Sequence, residues 1–169
     1  MICRCKQIAG NHIELSPTCI GSLWIFQNLA IEDIEALNRK ALRRKMIKGQ
    51  TLFLQGDSAD EVFLIKGGRI ELTKVLEDGT ELMLDIRKAG EFVGENMFFE
   101  EGRYPVSAVC LEDTLTCGFT RSQIQELVLQ HPTIGFQVNK TLNEMNSGVS
   151  SLDVLYIEDR LYRVLCNVA

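Results

Sequence analysis

The chain changes its hydrophobic period twice. In "LAIEDIEALNRKAL" the apolar residues Ile31, Ile34 and Leu37 recur at helical spacing among acidic and basic neighbours, which predicts a short amphipathic helix. From residue 43 the period becomes two. The runs "TLFLQGD", "EVFLIKGGRIELTKVL", "EDGTELMLDIR" and "SAVCLEDTLTCGFT" alternate apolar and polar positions, and Gln55-Gly56-Asp57, Lys66-Gly67-Gly68 and Glu77-Asp78-Gly79 punctuate them. They predict a small antiparallel barrel or sandwich of about eight strands. Gly67-Gly68 and Asp78-Gly79 supply the positive φ angles of tight hairpin turns, so adjacent runs are expected to pair directly.

After residue 119 helical spacing returns. Thr120 and Ser122 are candidate N-caps for "RSQIQELVLQ", and Pro132 opens a second helix. Along that second helix Ile134, Val138, Leu142, Met145, Val149 and Leu152 form one apolar stripe, suited to packing on the barrel or on a second copy of itself. Asp153 caps a last predicted helix, "VLYIEDRLYRVLCNVA", with Leu161, Leu165 and Val168 on one face.

Composition narrows the classes. A chain of 169 residues with 24% charged and 46% apolar residues is one globular domain, and no apolar run is long enough to span a bilayer. The opening "MICRCKQIAGNH" lacks the apolar stretch of a secretory signal, so a cytoplasmic location without a membrane partner is expected. Six cysteines then read as thiols or metal ligands rather than a disulfide framework. A net charge of -5 disfavours a surface dedicated to nucleic acid, and the basic run Arg39, Lys40, Arg43, Arg44, Lys45 and Lys48 reads as a solvated face. H-E-x-x-H, G-x-S-x-G and Walker patterns are absent from the sequence, so no enzyme is expected.

One stretch is more specific. "IKGQTLFLQGDSADEVFLIKGGRIELTKVLEDGTELMLDIRKAGEFVGENMFFEEG" carries, in order, KGQ-x-LF, a GD turn, a G-x-I strand, a DG hairpin and G-E-F-x-G-E. It resembles the cyclic-nucleotide-binding β-roll of the Crp/Fnr transcription regulators, over about residues 25 to 169. The resemblance implies a mainly β fold with C-terminal helices, a double-stranded β-helix (cyclic-nucleotide-binding-like β-roll, cupin-like jelly roll) plus a long dimerisation helix. It divides the chain into a cysteine-containing segment 1–24, the roll with flanking helices 25–130, the dimerisation helix 131–152 and a helix 153–169 leading to a DNA-binding domain that these residues do not contain. A homodimer with a small-molecule or redox effector is implied, reaching DNA only through that helix-turn-helix. A chain cut at the domain boundary and a stand-alone sensor both remain open.

In nucleotide-binding members a Gly-Glu pair and, about ten residues later, an Arg-Ser pair hold the ligand. Gly94 and Glu95 match the first pair, while Ser107 in the serine position puts Val106 where the arginine belongs. Pro105 removes a backbone donor, Arg103 is the nearest guanidinium, and Met145 and Asn146 match the purine-facing positions. The expected effector pocket of Gly94, Glu95, Arg103, Val106, Ser107, Met145 and Asn146 therefore serves a signal other than cyclic AMP.

The oxygen-sensing branch of that family implies an alternative, an iron-sulfur cluster on N-terminal cysteines plus one on the roll. Here those are Cys3, Cys5, Cys19 and Cys117, with thirteen residues between Cys5 and Cys19. A zinc site using His12, a thiol switch at exposed Cys3 and Cys5 beside Arg4 and Lys6, and simple packing of Cys110, Cys117 and Cys166 are the other readings. The cofactor itself is unspecified. Neither His12 nor His131 sits at the positions that haem-binding members use.

Overall fold

The computed structural model describes residues 5–9, 13–19, 26, 29–98, 102–132 and 135–136. The stripe Ile134, Val138, Leu142, Met145, Val149 and Leu152, the pocket positions Met145 and Asn146, and Cys3, His12 and Cys166 lie outside them.

In chain order the described elements are α1 (Cys5–Ala9), α2 (Ile31–Lys40), β1 (Leu42–Met46), β2 (Thr51–Phe53), β3 (Glu61–Gly67), β4 (Arg69–Val75), β5 (Glu81–Lys88), β6 (Phe92–Val93), a 3-10 turn (Glu95–Phe98), β7 (Ser107–Cys110), β8 (Thr114–Thr120) and α3 (Arg121–Gln130). Two four-stranded antiparallel sheets result, ordered β1-β8-β3-β6 and β2-β7-β4-β5. This is the small antiparallel sandwich that the alternating runs predict, and the mainly β roll that the resemblance implies. One expectation is corrected. The turn at Gly68 (φ +88°) carries the chain from one sheet to the other, so β3 and β4 do not pair, whereas the turn at Gly79 (φ +84°) does close a β4-β5 hairpin. Hairpin chemistry alone does not say in which sheet the next strand finds its partner.

Strand alternation divides the core in two. Phe63 and Ile65 of β3 point between the sheets, where they meet Phe53, Ile70, Val93, Tyr104, Val106, Ala108 and Cys110. Val62 and Leu64 point the other way and join Leu115, Cys117 and Phe119 under the helices, with Cys5, Phe26, Leu37 and Leu127 above them. Each fully buried Leu, Ile or Phe contributes about 1.5–3 kcal/mol.

Helix α3 is capped as its sequence indicates. Thr120 Oγ1 accepts from the Gln123 N–H at 3.1 Å, and the Gln123 side chain accepts from the Thr120 N–H at 3.0 Å. Helix α2 buries Ala36 and Leu37 with Ile34 alongside, but Ile31 is 72% exposed. At 3.6 residues per turn Ile31 falls opposite the Asp33, Ala36 and Leu37 stripe. The neighbouring basic run is largely occupied within the fold. Lys40 pairs with Glu126 at 2.7 Å, Arg44 with Glu61 at 2.6 Å, and Arg43 donates to the carbonyls of Asn38 and Ala41.

The segment 13–19 is strapped across the end of β3. The buried Lys66 ammonium donates to the carbonyls of Ser16 and Thr18, both at 2.5 Å, and the Ser16 N–H donates to Lys66 O at 2.7 Å. Among the described residues no helix is long and apolar enough to cross a membrane.

Candidate functional site

Gly94 sits between β6 and the 3-10 turn with φ +86°, an angle that L side chains rarely adopt. A Cβ there would lie 2.6 Å from Glu61 O and within 3.5 Å of Tyr104 and Phe63. Bare glycine thus lets the loop press against β3 and fixes where Glu95 begins the turn. Tyr104 holds the other side of the loop. Its hydroxyl donates to Glu61 O at 2.7 Å and accepts from Glu61 N at 3.2 Å, and its ring stacks on Phe53 at 3.8 Å. Burial, ahead of the Glu61 and Asp60 charges, pushes the Tyr104 phenol up to about 12.

Glu95 is half-buried. Burial raises its carboxyl above the usual glutamate range, while its own backbone N–H and the Arg87 charge pull the other way. A raised carboxyl adds stability that is complete below the ordinary glutamate pKa and is lost as pH climbs through the folded value. Glu95→Gln is therefore expected to stabilise the chain near neutral pH, with no gain left at about pH 4. Urea midpoints of both proteins at the two pH values measure this, and an equal gain at both would contradict it.

The remaining pocket positions are placed as follows. Val106 is 9% exposed and packs in the inner core. Arg103 donates to Gly56 O at 2.6 Å in an exposed setting and bridges to Ser58. Ser107 Oγ accepts from the Gln55 N–H at 3.0 Å. Charge beside Glu95 comes instead from β5, where Arg87 lies 3.0 Å from Asp85. The sequence reading passed over this pair. Leu82, Leu84 and Ile86 alternate so regularly that Asp85 and Arg87 read as solvent-facing, and only the strand register reverses that.

The described cysteines are packed rather than displayed. Cys5 is 0% exposed and Cys117 2%, both in the core beneath the helices, and Cys19 packs against that same core. The expectation of an exposed, activated Cys5 is thus corrected. It opens α1 with its side chain turned into the apolar cluster, where the charge of neighbouring Lys6 does not follow. Cys19 Sγ donates to Asn38 Oδ1 at 3.1 Å. Burial raises the Cys110 thiol, whose sulfur is 4.0 Å from that of Met46. Among the described residues no three His, Cys, Asp or Glu side chains gather as a metal site requires.

Two four-stranded sheets joined through the Gly94–Glu95 loop define a β-roll of the cyclic-nucleotide-binding type. Comparison with known proteins agrees. The sequence model of the cyclic nucleotide-binding domain matches residues 43–131. The anaerobic regulatory protein of Bacillus subtilis (strain 168) is 34% identical over 110 residues, 64% of this chain and 46% of that protein. The transcriptional activator protein Anr of Pseudomonas protegens is 31% identical over 139 residues, 82% of this chain and 57% of that protein. The crystal structure of the Thermus thermophilus catabolite activator protein superposes with a TM-score of 0.59 at 27% identity, covering 80% of this chain and 64% of that one. The chain belongs to the cyclic nucleotide-binding domain family, with the β-roll of the Crp/Fnr family. It spans about half the length of the two curated relatives named here.

Proposed function

We propose that this chain is the effector-sensing and dimerising part of a Crp/Fnr-like transcription regulator, a non-catalytic homodimer whose signal is not cyclic AMP bound in the family's usual way. The observation that carries the reading is Val106. The Gly94–Glu95 turn is kept in place against β3, yet the position matched to the phosphate cation holds an apolar side chain packed into the inner core. A valine offers a phosphate neither charge nor donor. The effector biases the arrangement of two long helices carrying Ile134, Val138, Leu142, Met145, Val149 and Leu152, and an attached DNA-binding domain follows that change.

Native mass spectrometry of anaerobically purified protein tests this. A dimer that retains a small molecule, and that cyclic AMP does not displace, is the expected result. A monomer at micromolar concentration, or tight cyclic AMP binding, overturns it.

A second reading, a redox sensor using Cys3, Cys5, Cys19 and Cys117, draws support from the core shared by Cys5, Cys19 and Cys117. The described thiols do not fit an iron-sulfur cluster as they stand, because no three ligand side chains converge among them. Iron and acid-labile sulfide measured in the same preparation separate a cluster from plain thiols.

A further inference from the structure

Strand β5 turns two charged side chains, Asp85 and Arg87, inward, and leaves Met83 and Ile86 outside. Arg87 pairs with Ile70 and Asp85 with Leu72. Directly opposed residues of antiparallel strands share a face. Ile70 is fully buried in the inner core and Leu72 packs against it, so Asp85 and Arg87 face the space between the sheets. Ile86 and Met83 stand outside, 41% and 59% exposed. The cause is a register shift. Leu72 pairs with Asp85 but Thr73 pairs with Met83, which leaves Leu84 as the extra residue of a bulge. Leu84 also packs against the inner core, so two successive residues face inward and the phase of the strand inverts.

An inward charge on an edge strand guards against pairing with another sheet, and a single lysine would serve that end. The pair here does more. The Arg87 and Asp85 side chains remain 21% and 27% exposed although they point inward, which marks an opening beside them. Arg87 Nε is buried and 3.0 Å from Asp85 Oδ2, yet off the line of a hydrogen bond. Among the described residues Arg87 Nε has no hydrogen-bond acceptor, although it is ion-paired with Asp85. A buried guanidinium N–H without a partner is unfavourable unless an acceptor arrives.

We propose that Arg87 is the anion-binding residue of the effector pocket, supplying from β5 the cation that Val106 does not, and that the effector is a small organic oxyanion held by the guanidinium fork while Asp85 orients it. This inference rests on the sensor reading given above. Carboxylates and phosphoryl groups share the paired oxygens that such a fork engages. With Asp85 and Glu95 close by, the site favours a single anionic group over a polyphosphate.

The test is 15N–1H NMR of the arginine Nε–H groups in the unaltered protein, with the Arg87 signal assigned by its loss in Arg87→Lys. The chain is titrated with acetate, with inorganic phosphate and with chloride at matched ionic strength. A saturable shift of the Arg87 signal with acetate or phosphate but not chloride is expected, and the responding arm separates carboxylate from phosphoryl ligands. Arg87→Gln should weaken the better anion by about tenfold or more. A signal that moves with neither anion, or equally with chloride, overturns the proposal. If the small molecule retained by the native dimer binds while the Arg87 signal stays still, the sensor reading stands and this one falls.

Discussion

Alanine at position 94 destabilises the chain by about 3 kcal/mol or more, the larger of two effects expected from single methyl additions at positive-φ glycines. Gly94 and Gly79 have nearly the same backbone angle, φ +86° and +84°. At Gly79 a Cβ meets nothing within 4 Å, so Gly79→Ala reports the backbone strain alone, about 1–2 kcal/mol. At Gly94 the same Cβ would sit 2.6 Å from Glu61 O. That carbonyl cannot retreat cheaply. It already accepts from the Tyr104 hydroxyl, and Glu61 is held in register with Thr120 of β8. The loop must give way, carrying Glu95 with it. Urea unfolding of the two variants measures the difference, and equal losses would show that contact with β3 does not constrain the loop.

Period and turn chemistry locate most strands, because six of the eight described strands fall within the alternating runs, while β1 is hidden in the basic stretch Leu42–Met46. Strand β6 escapes because Phe92 and Val93 are only two residues and show no period. The cap of α3 is legible because Thr120 and Gln123 carry it within four residues. Gly94, Glu95 and Val106 are also legible, since their arrangement is local to one loop.

What fails to show is non-local. The β3 to β4 turn reads as a hairpin until strand partners are known, and the burial of Cys5 depends on Cys117 and Leu115, more than a hundred positions away. Arg87 is the most instructive omission. A single bulge residue, Leu84, changes which face of β5 is inside, and alternation counted along the sequence has no means of registering a slip against Leu72 and Thr73.

Lys66→Met releases the N-terminal strap and costs about 3 kcal/mol, the second large effect. Methionine keeps the apolar stem and loses the ammonium. Burying a lysine is itself unfavourable, and among the described residues no carboxylate offsets its charge, so one line of argument expects the variant to be neutral or more stable. The geometry decides against that. Two charge-assisted bonds, to the carbonyls of Ser16 and Thr18, end on one ammonium and are each worth about 1.5–3 kcal/mol. Without it these carbonyls turn to water as the segment lifts away from β3, and the Ser16 to Lys66 backbone bond goes with them. Gly67 gives an independent handle, since a Cβ there would collide with Ile13 Cγ2 and lie 2.6 Å from Glu14 O, so Gly67→Ala displaces the same strap from below. Hydrogen exchange should show protection lost across residues 13–19 in both variants while β8 and its partner β3 remain protected. At Cys19, the last described residue of the strap, the thiol donates to Asn38 on α2, so its alkylation should accelerate relative to buried Cys110. Unchanged protection and unchanged Cys19 reactivity in both variants would mean that the strap is held by its apolar contacts, Ile13 and Leu15 on the outer core, rather than by Lys66.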